Sequence, residues 1–198
     1  MTMTKPYSQA CENNKNPILS KLKSYLVGKE CILEIGSGTG QHAVHFAKHL
    51  PNVTWQTSDQ AMHHEGINAW LDEAKLSNLI APITLDLNHD WPVNKKYDAI
   101  YTANTLHIVS ELLVEKLIIG AAKHSPAQSY LFIYGPFNYN GQFTSESNQG
   151  FDAMLRARDP QSGIRDQEWV VSLAKKQGFE LVQDHEMPAN NRLLVFKR

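Results

Sequence analysis

The chain has 198 residues, 42% of them hydrophobic and 20% charged, with a formal net charge of −1. That length suits one folded domain with a sizeable core, and the near-neutral balance gives no electrostatic footprint for bulk nucleic acid or an anionic membrane. No apolar run approaches a membrane span, the polar N-terminus lacks a signal-peptide core, and the two cysteines, Cys11 and Cys31, read as reduced thiols of a cytoplasmic protein.

Residues 1–28 are expected to form an N-terminal flap and helix. Through Lys15 the segment is polar, and residues 13–16 read as a solvated loop or as a flap that closes over a ligand. Pro17, Ile18, Leu19, Leu22, Tyr25 and Leu26 then mark a helix, with Gly28 ending it. Cys31–Ile35 is a short buried strand that carries Glu34. Gly36-Ser37-Gly38-Thr39-Gly40 follows, and Ala43, Val44, Phe46, Ala47 and Leu50 recur at helical spacing. A strand that turns through glycines into a helix is a ligand platform, because glycine lets backbone approach a ligand and the first helical N–H groups are free. A dinucleotide fingerprint, G-x-G-x-x-G, would place its third glycine where Gln41 stands. Glu34 is likewise a poor neighbour for a pyrophosphate and suits a positively charged ligand. On the following helix His42, His45 and His49 share a stripe. No carboxylate or cysteine of fitting spacing joins them, so no metal site is expected, and His45 and His49 read as solvated.

Residues 53–57 form a second strand ending in Ser58-Asp59. Asp59 lies 19 positions after Gly40, near where a nucleoside-binding sheet places the acid that holds a ribose; it also suits a helix N-cap. Ile67, Trp70, Leu71 and Ala74 mark the next helix, and His63 and His64 read as surface residues. Residues 81–87 make a third strand with Asp86 at its C-terminal end, placed to accept from an adenine amino group or to begin a turn. Residues 97–104 are the fourth strand, followed by His107. A helix through Leu112, Leu113, Leu117, Ile118 and Ala121 leads to a fifth strand, 129–134, ended by Gly135-Pro136. This alternation argues for a parallel sheet with helices on both faces. Residues 137–165 are polar and glycine-dotted, with a short helical run around Phe151, Met154 and Leu155, and are expected to cap the ligand crevice. A helix from Asp166 to Gly178 and two closely connected strands, 180–185 and 192–196, complete the chain; the short connection requires an antiparallel pair.

Glu34 followed by G-x-G-x-G resembles the first motif of class I S-adenosylmethionine-dependent methyltransferases, whose ligand carries a sulfonium, an ammonium and one carboxylate but no phosphate. Nearly end to end, the chain also resembles a small methyltransferase-like family of unknown substrate within that class. The strings that carry this are Asn14-Lys15 with Pro17-Ile18-Leu19, Gln41-His42 after the glycines, Trp55-Gln56 with Ser58-Asp59, and Leu85-Asp86 with Trp91-Pro92. They continue through Asn104 with His107-Ile108, Tyr134-Gly135-Pro136-Phe137, Thr144-Ser145-Glu146-Ser147-Asn148, Gly163-Ile164-Arg165-Asp166 and Met187-Pro188-Ala189-Asn190-Asn191. The resemblance implies a Rossmann-like α/β class I methyltransferase fold in a single domain over residues 1–198. Its sheet would have seven mostly parallel strands with an antiparallel C-terminal strand.

S-adenosyl-L-methionine is then the expected cofactor, held by Glu34, Gly36, Ser37, Gly38, Gly40, Asp59, Asp86, Leu87 and Asn104. The family likeness draws Asn14 and Lys15 into the same site. For the acceptor side the candidates are His107, Tyr134, Glu146, Asn148, Arg156 and Asn191. The ordinary pKa of His107 suits a base, although the ring could equally pack and donate one hydrogen bond. Tyr134 would orient the acceptor or close the sheet edge. The acceptor is expected to be a small molecule rather than a nucleic acid. Two other classes stay open: a non-catalytic S-adenosylmethionine-binding module, and a nicotinamide-dependent oxidoreductase, against which Gln41 and the final hairpin count. The acceptor's identity and the oligomeric state are not legible in the sequence.

Overall fold

The structure, a computed structural model, describes residues 5–198; the first four residues of the expected flap lie outside them. The chain divides into two compact units, one ending at Tyr101 and one running from Thr102 to Arg198.

In the first unit, α1 (Gln9–Tyr25) precedes β1 (Cys31–Ile35), α2 (Gln41–His49), β2 (Thr54–Asp59), α3 (His64–Ala74) and β3 (Leu79–Thr84). β1 and β2 run parallel with Ile32 opposite Trp55, and β2 and β3 run parallel with Trp55 opposite Leu79, as the intervening helices permit. Ile32, Leu33, Phe46, Trp55 and Ile67 are wholly enclosed. The Phe46 ring lies 5.2 Å from Trp55 and 5.5 Å from Tyr101. β3 is the sparsely buried edge of this group, where Pro82 removes no needed donor. β4 (Ala99–Ala103) begins in this unit. Asp98 secures its start, accepting from the amides of Glu30 and Cys31 at 2.8 and 3.1 Å and donating its own amide to Cys31 O at 2.9 Å.

The N-terminal segment departs from its local composition. Residues 13–16 read as a solvated loop, yet α1 starts at Gln9, where the Ser8 hydroxyl accepts from the Cys11 amide, and continues through Pro17. Asn14 is buried. Contacts with α2 hold in helical form a stretch whose asparagines and proline are poor helix formers.

In the second unit, α4 (Glu111–His124), β5 (Tyr130–Asn138), α5 (Glu146–Arg158), β6 (Arg165–Asp166), α6 (Gln167–Lys176), β7 (Glu180–Met187) and β8 (Asn191–Lys197) follow in order. β8 lies between β5 and β7 and is antiparallel to both. Residues 193–196, an unbroken apolar run, have no exposure, as a strand covered on both faces requires. The β7–β8 turn passes through Ala189 and Asn190 with φ of 58° and 57°, the left-handed pair favoured where two twisted strands reverse.

Two boundaries differ from expectation here. β5 does not stop at Gly135-Pro136 but runs to Asn138, because β8 supplies a partner past the proline, with Pro136 opposite Asn191. Beyond it β6, a two-residue strand too short to leave a periodic signal, pairs in parallel with the end of β5, which makes eight strands among the described residues where the sequence suggests seven. Residues 137–165 are also more ordered than an irregular cap: α5 spans 13 residues and opens on Ser145, whose hydroxyl accepts from the Asn148 amide at 3.1 Å. The class is the expected one, a mixed α/β fold with mostly parallel strands and antiparallel C-terminal strands. Among the described residues no helix is long and apolar enough to cross a membrane.

Candidate functional site

The glycine loop is built on a buried acid. Glu34 is 2% exposed, and its Oε2 accepts from the Ser37 hydroxyl at 2.9 Å and the Trp55 indole at 3.1 Å. Burial pushes its carboxyl up to about 7. Ser37 donates its amide to Ser58 O at 2.9 Å, and Ser58 donates its hydroxyl to Glu34 O at 2.5 Å, so the loop is tied to the end of β2. Gly36, Gly38 and Gly40 all take left-handed φ values of 71°, 57° and 88°. Two of them have different reasons to be glycine. A Cβ on Gly40 would come within 3.2 Å of the Ile67 backbone in α3, whereas one on Gly38 would meet nothing within 4 Å among the described residues. Gly40 therefore serves packing, and Gly38 presents open backbone. Asp59 stands at this opening: its Oδ2 accepts from the Gly38 amide at 2.7 Å and its Oδ1 from the Gln60 amide at 2.7 Å. The helix-cap reading of Asp59 is displaced, since α3 starts only at His64 and a short 3-10 turn comes between. His64, expected at the surface, is half-buried with Nε2 3.0 Å from Asp59 O.

The N-terminal segment closes on this loop. The Ser8 amide donates to Gln41 Oε1 at 2.5 Å, Thr39 donates its hydroxyl to the same oxygen at 3.0 Å, and Gln41 Nε2 donates to Glu12 at 3.5 Å. Asn14 Oδ1 lies 2.6 Å from His42 Nε2. Lys15 pairs with Glu12. Further out, Trp70 donates to Pro6 O at 2.7 Å and Lys5 sits 3.7 Å over the Trp70 ring. His45, read as solvated, has a buried Nε2 with no hydrogen-bond partner, because it lies edge-on to Phe46 at 5.8 Å. Among the described residues no three His, Cys, Asp or Glu side chains converge as a metal-binding group.

Asp86 lies two residues past the end of β3, between buried Leu85 and Leu87. Its Oδ1 accepts from the backbone and side-chain nitrogens of Asn88 at 2.9 and 3.2 Å. The Asn88 amide holds its carboxyl below the usual range. The carboxylate thus closes its own turn, one of the two roles its position suggests.

In the second unit, Asn104 takes a left-handed φ of 56° and donates its amide to Tyr134 O at 2.9 Å. The His107 and Asn104 side chains both face Gly135, where a Cβ would sit in ordinary contact, 3.6 Å from His107 Nδ1 and 4.0 Å from Asn104 Oδ1. His107 and Tyr134 are both buried. The His107 ring meets Phe151 of α5 edge-on at 5.2 Å, and burial pushes its pKa down to about 4, so the ordinary histidine pKa assumed from sequence does not apply. Of the remaining acceptor-side candidates, Asn148 is spent on Thr144 Oγ1 at 2.8 Å and Asn190 O at 3.2 Å, and Arg156 on Asp152 at 2.8 Å. Glu146 is exposed at the start of α5. Asn191 donates to Pro188 O at 3.1 Å within the hairpin turn.

Three residues escape a sequence reading. Gln41 stands out there only as the glycine a dinucleotide site lacks, yet its amide joins the N-terminal segment to the loop. Trp55, a core residue by type, donates its indole N–H to Glu34. Arg165 is 4% exposed and spans the carbonyls of Leu106, Val109 and Gln161 at 3.2, 2.6 and 2.6 Å. Its one signal is a cation standing in the otherwise small and apolar string Gly163-Ile164.

A family model described as a protein of unknown function (DUF938) matches residues 5–198. Among solved structures the chain is similar to an O-methyltransferase family protein from Burkholderia thailandensis, with a TM-score of 0.83 and 13% identity over 93% of this chain and 56% of that one. It is similar also to the S-adenosylmethionine-dependent methyltransferase SibL in its apo form, with a TM-score of 0.80 and 18% identity over 95% and 55% of the two chains. For human N-acetylserotonin methyltransferase in complex with SAM the TM-score is 0.79, with 13% identity over 96% and 53%. The chain spans about half the length of these structures. At such identities the likeness is one of fold.

Proposed function

The chain belongs to the family described as a protein of unknown function (DUF938), and we propose that it is an S-adenosylmethionine-dependent methyltransferase of a small-molecule acceptor. The observation that carries this reading is the pairing of an open left-handed Gly38 with the Asp59 carboxylate on its amide. Residues 31–40 contain no basic side chain and do contain buried Glu34, so the loop opposes a phosphate and suits a cationic, phosphate-free nucleoside. The fold of the structural neighbours supports the same class.

In this reading Gly36 and Gly38 bring backbone close to the cofactor, Ser37 and Gly40 shape the loop around it, and Asp59 binds the ribose hydroxyls. Asp86 and Leu87 flank the adenine, while Glu34, Asn14 and Lys15 complete the cofactor's surroundings. When bound, the cofactor supplies a methyl group on a sulfonium, a good leaving group. What the chain must add is chiefly positioning, an effect worth up to ~7–11 kcal/mol. His107 is neutral near pH 7 and has an imidazole nitrogen able to take the acceptor's proton; Tyr134 orients the acceptor. The nicotinamide alternative loses ground because the Gln41 side chain fills the place of the third glycine and is committed to Ser8 and Thr39.

Titration calorimetry on the purified chain tests this. S-adenosylhomocysteine is expected to bind, with the affinity lost in Asp59→Ala. Tighter binding of a reduced nicotinamide cofactor would reverse the assignment.

A further inference from the structure

Within the second unit, the open end of the β7–β8 hairpin and the turn that follows β5 enclose a cavity of about 640 Å³, inside the range of small-molecule sites. Its apolar surface comes from Tyr139, Phe143 and Met187. Both walls are braced. Tyr139 and Gln142 exchange backbone hydrogen bonds at 3.1 and 2.9 Å, and Asn148, itself buried, holds Thr144 and the Asn190 carbonyl together.

The charge in the cavity decides which ligands it admits. Arg192 is its one cation, and that charge is already met: Nε donates to Asp184 Oδ1 at 2.7 Å, and a terminal nitrogen pairs with Glu186 at 3.2 Å. Asp184 also accepts from the Tyr139 hydroxyl at 2.6 Å, and the guanidinium lies 5.6 Å over the Tyr139 ring. Two carboxylates against one guanidinium leave the surroundings acidic. Among the described residues lining the cavity, a phosphate or carboxylate finds no unspent cation, whereas aromatic and thioether surface beside an acidic rim favours a flat ring that is neutral or positively charged. The cavity also lies where β5 ends: Asn191 faces Pro136 across the ladder, two residues past Tyr134.

We propose that this cavity binds a planar aromatic small molecule, uncharged or monocationic, and that, resting on the methyltransferase reading above, it is the subsite for the methyl acceptor's ring. The carboxylate-rich wall selects against anionic compounds, and Phe143 with Met187 supplies the stacking surface.

The test uses the full chain labelled with ¹³C at its methionine methyl groups, the Met187 signal being identified by its loss in Met187→Leu. The probes are naphthol and aminoquinoline, set against naphthoic acid and naphthyl phosphate. Naphthol and aminoquinoline are expected to shift the Met187 signal while Met62 and Met154 stay in place. Phe143→Ala is expected to weaken that binding at least tenfold. Glu186→Lys, a change at a side chain 88% exposed that cannot disturb the core, is expected to bring naphthyl phosphate into the cavity. S-adenosylhomocysteine affinity should stay within twofold in both variants. An unmoved Met187 signal, or a wild-type response to naphthyl phosphate equal to that for naphthol, overturns the site. The tightest probe, at saturation, is expected to slow tritium transfer from labelled cofactor into a small-molecule extract at least fivefold; unchanged transfer, or none, overturns the acceptor assignment. If S-adenosylhomocysteine fails to bind, the methyltransferase reading falls, while the Met187 titration still decides the cavity by itself.

Discussion

Asn14 Oδ1 accepts a hydrogen bond from His42 Nε2 at 2.6 Å, joining residues 28 apart and holding α1 against α2. The other ring nitrogen, Nδ1, lies 3.3 Å from the Tyr101 hydroxyl, which donates to it. Both edges of the imidazole are therefore engaged in a single tautomer, and the ring stays neutral.

Removing Asn14 takes away one hydrogen bond of a buried ring that also faces the Cys11 backbone carbonyl, at a cost of about 0.5–1.5 kcal/mol. Asn14→Ala is expected to lower urea-unfolding stability by that amount. Because the same helix carries Glu12 toward Gln41, the variant should also bind S-adenosylhomocysteine several-fold more weakly. Unaltered affinity at reduced stability would limit α1 to a structural role.

Asp59 makes the opposite combination. Its two amide partners lie at the exposed rim, where water can replace the lost oxygens. Asp59→Ala should cost stability no more than about 1 kcal/mol and reduce cofactor affinity at least tenfold, read by thermal melts and calorimetry on the same preparation.

Among the groups that shape the pH dependence of stability, three are buried outright, and half-buried His45, pushed down to about 4 chiefly by burial, adds to the histidine side. His42 and His107 are pushed down to about 4 by burial, against an ordinary 6.5. Between those values the unfolded chain binds more protons, so their contribution is whole above about 6.5 and is lost as pH falls toward 4. Glu34 runs the other way. Its carboxyl rises from 4.5 to about 7 on burial, so its contribution is whole below about 4.5 and is lost as pH rises through 7. Stability is expected to climb from pH 5 to near 7 at roughly 1 kcal/mol per pH unit from these groups, then flatten. Glu34→Gln should steepen the climb, since the opposing proton is removed.

Arg165 bridges three carbonyls that follow β4 and α5. Lysine has one compact head and cannot span them. Arg165→Lys is expected to lose about 2–4 kcal/mol, in the range for stranded buried polar groups. Amide exchange should rise at residues 106–109 before the rest of the chain.

His107→Ala is expected to lower turnover by about 10²–10⁴-fold if the imidazole takes the acceptor's proton, with cofactor affinity within twofold. With its pKa near 4, the wild-type rate should show no histidine limb between pH 6 and 8. Equal losses in turnover and affinity would mark the ring as packing alone.

The elements of this fold were legible because each rests on neighbours along the chain. Glycines at 36, 38 and 40 between an apolar run and a helical stripe specify a strand–turn–helix whatever surrounds them. The short 187–191 connection specifies an antiparallel hairpin in the same way. Asp59 could be singled out by its distance from the glycines, and the open backbone at Gly38 by its residue type. What escaped the sequence depends on partners far along it. Residues 13–16 look like a loop until His42 takes up Asn14, and β5 seems to end at Pro136 until β8 supplies its partner. His107 looks like an ordinary base until burial lowers its pKa, and Gln41 and Arg165 carry no signal of the backbone groups they hold. Periodicity and turn chemistry are local and can be read from residue order. Burial, pairing and charge state arise only when distant segments exclude water from one another, and there the tertiary structure decided.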